Sequence, residues 1–64
     1  MNNLFGLKYD QTYIAYDAQK RIEEPVVVTS ITKDYAILKF RNRHYVHLTP
    51  QSDVQVKGKH IIFN

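Results

Sequence analysis

A chain of 64 residues with no cysteine makes one small domain, and it excludes both a disulfide staple and a thiolate metal site. A single core of this size supplies only ~3–5 kcal/mol net, so stability must come from a tightly packed sheet, from oligomerisation or from a partner. The net charge of +3 is uneven: up to Pro25 the balance is −1, and from Val26 onward Lys33, Lys39, Arg41, Arg43, Lys57 and Lys59 face only Asp34 and Asp53, leaving +4.

The first segment, Met1 to Lys8, sets Leu4, Phe5 and Leu7 around Gly6. It reads either as a short edge strand or as an apolar arm laid over the domain. Asp10 to Glu24 supports two readings. As a helix, Asp10 caps the N-terminus, Ile14, Ala18 and Ile22 share one stripe, and the helix ends before Pro25. As strands, Thr12 to Tyr16 is rich in β-formers, a turn follows at Asp17 to Lys20, and the next strand starts near Arg21. Pro25 must then sit at a bulge or an unpaired edge position. The strand reading is preferred.

Val26 to Leu48 is the organising stretch and reads as a three-stranded antiparallel meander. A three-residue loop at Arg41-Asn42-Arg43 sets Lys39 opposite Tyr45, Leu38 opposite Val46, Ile37 opposite His47 and Ala36 opposite Leu48. A slip by one residue would flip every side chain to the other face. Asn42 is the loop residue best able to adopt a left-handed conformation. A second three-residue loop, at Thr32-Lys33-Asp34, sets Ile31 opposite Tyr35, Ser30 opposite Ala36 and Val28 opposite Leu38. The inner face is then Val26, Val28, Leu38, Phe40, Val46 and Leu48, with Ser30 and Ala36 at one end.

Thr49 to Asp53 is a turn, Val54 to Lys57 alternates as a half-buried strand does, Gly58-Lys59 is a tight turn, and His60 to Phe63 is a last strand. The expected fold is all-β, a small five- to six-stranded antiparallel barrel over residues 1–64. The alternative is an α+β domain with an N-terminal helix packed on an antiparallel meander. Long hairpins, a Pro-containing short turn and a short last strand resemble SH3-like barrels. That resemblance is architectural and implies nothing about function.

No catalytic set is legible. His44 and His47 lie three apart on a strand and so point to opposite faces. Ser30 and Ser52 lack a Gly-flanked elbow, and Gly6 and Gly58 cannot form a phosphate-cradling loop. A non-enzymatic chain without metal or cofactor is expected. No apolar run approaches the ~20 residues of a membrane span, and Met1 to Gly6 carries no secretory pattern. A cytoplasmic protein is expected.

Two surfaces call for explanation. The outer sheet face, with Val27, Ile31, Tyr35, Ile37, Tyr45 and His47, is too apolar for a plain solvated face. It is expected to be covered by the N-terminal segment or by barrel closure, or else to meet a partner protein or a second copy of the chain. Lys39, Arg41, Arg43 and Tyr45 combine cations with an aromatic ring, as single-stranded nucleic-acid binders do. The leading expectation is a small binding or regulatory protein acting by protein–protein contact, of the kind found among bacterial or bacteriophage accessory and inhibitor proteins. The alternative is a nucleic-acid-binding small barrel. Homo-oligomerisation is compatible with both.

Overall fold

The computed structural model describes residues 3–42 and 44–64. Six strands follow a short 3₁₀ turn at Leu4–Gly6: β1 (Thr12–Asp17), β2 (Ile22–Ile31), β3 (Ala36–Phe40), β4 (Tyr45–Leu48), β5 (Val54–Lys57) and β6 (His60–Phe63). They form one sheet in the order β4-β3-β2-β1-β6-β5, curled into a half-barrel. The fold is all-β, and the described residues contain no α-helix. The sheet is mixed rather than wholly antiparallel, because β1 and β6 run parallel, with Ile14 beside His60 and Tyr16 beside Ile62.

Asp10 to Glu24 resolves as strand, turn, strand. The Asp17 carboxylate turns the chain by accepting from the backbone N–H of Gln19 at 2.9 Å and of Lys20 at 3.1 Å. Arg21, at φ 57°, completes the reversal, and its N–H donates to the Asp17 carbonyl at 2.7 Å. Pro25 pairs with Ile14 inside β2. The Val28 N–H donates to the Gln11 carbonyl on the β1 side. Strand alternation therefore aims the missing donor of Pro25 at the β3 side, where pairing has already ended at Val26 opposite Phe40. The proline costs no ladder bond.

The β3–β4 register is Ala36 opposite Leu48, Ile37 opposite His47, Leu38 opposite Val46 and Lys39 opposite Tyr45. This is the pairing that the apolar alternation predicts. The loop behaves differently at Asn42, which is absent from the left-handed residues Phe5, Asp10 and Arg21. It acts through its side chain, whose Oδ1 accepts from the His44 N–H at 3.1 Å. Arg43 lies outside the described residues.

The β2–β3 hairpin departs from expectation at its far end. Val28 faces Leu38, but Ser30 faces Ile37 and Ile31 faces Ala36, with a register shift between Val28 and Ser30. Thr29 is the extra residue, and its hydroxyl donates to the Ile37 carbonyl at 3.2 Å. The loop also takes in Tyr35. The Thr32 hydroxyl accepts from the N–H groups of Asp34 and Tyr35, and the Thr32 N–H donates to the Tyr35 carbonyl at 2.9 Å. A longer loop and a bulge thus compensate each other. The consequence is a correction: Ile31 turns to the interior and packs against the core, leaving the outer face.

The core consists of Leu4, Leu7, Tyr13, Ala15, Val26, Val28, Ala36, Leu38, Leu48 and Ile61. Among the described residues no polar or charged side chain is buried, so little free energy goes to desolvating polar groups. The N-terminal segment is the apolar arm. It closes one end of the half-barrel, where the Leu4 N–H donates to the Thr32 carbonyl at 2.9 Å and Leu7 is 0% exposed. No helix among the described residues is long and apolar enough to cross a membrane.

Candidate protein-contact face

Strand alternation sorts the side chains of each strand between the two faces. Tyr13 and Ala15 of β1 enter the core, which sends Ile14 and Tyr16 outward. Val26 and Val28 enter it from β2, sending Val27 outward. Ala36 and Leu38 enter it from β3, sending Ile37 and Lys39 outward. On β4, Leu48 is buried while Tyr45 and His47 are exposed.

The convex face is therefore a grid. One row runs Tyr45, Lys39, Val27, Thr12 across four strands, and a second runs His47, Ile37, Ser30. Tyr35 stands at the end of the hairpin, its ring edge-on to His47 with centroids 5.5 Å apart. Of the residues expected on this face, Val27, Tyr35, Ile37, Tyr45 and His47 are brought together, and Ile31 is not. Tyr45 stands out at 58% exposure.

Reading the sequence missed the other half of the face. Glu23, Tyr16 and Ile62 form a row, as do Pro25, Ile14 and His60. The alternation of Tyr13 to Tyr16 carries the inward and outward signal for β1. The parallel β1–β6 pairing that brings Ile62 beside Tyr16 leaves no local trace. Ile14, Tyr16, Val27, Ile37 and Ile62 are each half-buried, yet none belongs to the partly buried hydrophobics packed against the core. The N-terminal arm, one expected cover for this face, lies on the opposite side with Leu4 and Leu7 in the interior.

Charge divides the face. Between Tyr35 and Ser52 the chain has no aspartate or glutamate, while Lys39, Arg41 and Arg43 fall within that stretch. Lys39 and Arg41 are exposed, and Lys39 stands directly opposite Tyr45. The expected nucleic-acid group of Lys39, Arg41 and Tyr45 is thus assembled on one hairpin, and its fourth member, Arg43, lies outside the described residues.

The concave side opens at the other end of the half-barrel into a cavity of about 350 Å³. Phe40, Val46 and Phe63 wall it, and Asp17, Glu24 and Lys20 stand at its lining. His44 also lines it and meets the Phe40 ring edge-on at 5.8 Å. His44 and His47 thus serve opposite faces of the sheet, as their spacing on a strand demands. Among the described residues no three His, Cys, Asp or Glu side chains gather closely enough to hold a metal ion.

Comparison with protein-family models, with curated proteins and with solved structures found no match for this chain.

Proposed function

We propose that this chain is a small non-enzymatic binding or regulatory protein that acts by a protein–protein contact on the convex sheet face. The observation that carries the reading is the set of half-buried Ile14, Tyr16, Val27, Ile37 and Ile62 turned away from the core, with exposed Tyr45 beside them. Contiguous apolar surface on a small domain marks an interaction site, and tyrosine and arginine are the residues that concentrate interface energy. Its size and its content of Asn, Lys, Ile and Tyr suit a bacterial or bacteriophage accessory or inhibitor protein working in the cytoplasm.

The test compares the immobilised chain with a Tyr35→Ala, Ile37→Asp double variant in capture from cell extract. A protein retained by the first and lost by the folded second supports the reading. Identical capture profiles reject it.

A second reading, contact with single-stranded nucleic acid, is favoured by the acid-free hairpin that carries Lys39, Arg41 and Tyr45. Fluorescence anisotropy on DNA and RNA decides it, because such binding must weaken steeply with salt. Absence of binding at ~50 mM salt, the low end of the usual comparison range, rejects it.

A further inference from the structure

β4 is the outermost strand on the basic side of the sheet. The Phe40 N–H donates to the His44 carbonyl at 2.7 Å, which makes Phe40 and His44 a hydrogen-bonded pair of the antiparallel ladder. Such pairs alternate with pairs whose backbone groups point outward. Leu38 with Val46 and Ala36 with Leu48 are therefore bonded pairs, and Tyr45 and His47 turn both N–H and C=O away from β3. The other edge differs. There the Val54 N–H already donates to the Ser52 carbonyl at 3.0 Å, and the N-terminal 3₁₀ turn lies against β5.

Small proteins usually guard an open edge with a lysine, a proline or a bulge in the edge strand itself. β4, reading Tyr45-Val46-His47-Leu48, has none of these. The backbone groups it offers belong to the two residues whose side chains stand exposed on the convex face. A strand laid along this edge would make main-chain bonds to Tyr45 and His47. It would also place alternate side chains beside Tyr45 and His47.

We propose that β4 receives an extended acidic segment of a partner protein by strand addition, an inference that rests on the convex-face reading of function. Charge selects the occupant. Lys39 is cross-strand from Tyr45 and Arg41 follows on the same hairpin, with no carboxylate between Tyr35 and Ser52. A second copy would bring charge of the same sign to this edge and so gains nothing from Lys39 and Arg41. A segment bearing Glu or Asp between apolar or aromatic residues meets them with opposite charge while its main chain completes the ladder.

The test titrates the full chain with a short fluorescent peptide that alternates glutamate with tyrosine and valine. Glutamine and lysine counterparts and single-stranded oligothymidylate serve as comparisons, and amide exchange is followed by NMR. The acidic peptide is expected to bind best and to slow exchange at the Tyr45 and His47 amides. His47→Pro, which removes an outward donor, is expected to weaken binding about 3–10-fold beyond His47→Ala, the worth of one hydrogen bond. A chain N-methylated at His47 serves the same comparison if the proline variant fails to fold.

Equal binding by the proline and alanine variants, with loss only in Tyr35→Ala, Ile37→Asp, overturns the edge proposal and leaves the convex-face reading standing. Binding of oligothymidylate in place of the acidic peptide overturns both. Self-association that protects the same two amides without peptide, or no acidic-peptide binding at ~1 mM, the weak end of specific affinity, overturns the edge proposal.

Discussion

Ile31 lies opposite Ala36 on the interior side of the sheet, out of step by one residue with Val28 opposite Leu38. The bulge at Thr29 makes both pairings compatible. Ile31 and Ile37 are thus chemically identical side chains on opposite faces of neighbouring strands. Ile31→Ala is expected to destabilise the protein by about 2 kcal/mol, the low end for truncating a packed isoleucine. Ile37→Ala should cost about 0.5 kcal/mol, as surface changes do. Urea unfolding of the two variants checks this, and equal costs would place Ile31 outside.

Leu7 contributes a fully buried side chain from a segment that belongs to no strand. Leu7→Ala is expected to cost ~2–5 kcal/mol, comparable with the whole net stability of a domain this small. Far-UV circular dichroism at 25 °C, the reference temperature of those magnitudes, should show a largely unfolded chain. A cooperative melt close to the parent's would mean that the arm is not part of the core.

The Asp17 carboxylate serves two backbone donors, Gln19 and Lys20, at the β1–β2 turn. Asp17→Ala should destabilise by roughly 1–2 kcal/mol, since both bonds are lost at an exposed site where water replaces them in part. Asp17→Asn keeps an acceptor oxygen and should recover most of the loss. Thermal melts of the pair check it, and an asparagine variant as weak as the alanine one would point to charge instead of turn geometry.

Tyr45 separates stability from recognition. At 58% exposure on an edge strand, its truncation to alanine should shift stability by less than about 0.5 kcal/mol. Affinity for a partner should fall at least ~30-fold, the scale of an interface hot spot. Calorimetry with the captured partner measures the second, and chemical denaturation the first.

The β3–β4 hairpin was legible because its signal is local and redundant. Ala36, Leu38, Val46 and Leu48 all fall on one face in the observed register, and a slip by one residue would set Lys39 against Val46. The strand character of Thr12 to Tyr16 was legible for the same reason. The bulge was not, because a regular three-residue loop fits Val28 opposite Leu38 equally well and nothing local announces the extra residue at Thr29. What decides between the two loops is the Thr32 hydroxyl, which holds Tyr35 in the loop. The convex face was half legible. Its β2–β4 side follows from the hairpins, whereas the β1–β6 side depends on a pairing between distant segments that leaves no pattern in the chain.

That pairing also sets an order of events. Each backbone pairing within β1 to β4 joins strands that follow one another in the chain, but β6 must enter beside β1, bringing Ile14 to His60. On a ribosome, β1 is synthesised long before its second neighbour exists. Its outer edge waits unpaired while the meander forms, since loop closure over such a distance is slow. The β5–β6 hairpin is thus the latch of the molecule. Until it arrives, β1 presents an unpaired strand edge, the kind of surface through which chains misassemble.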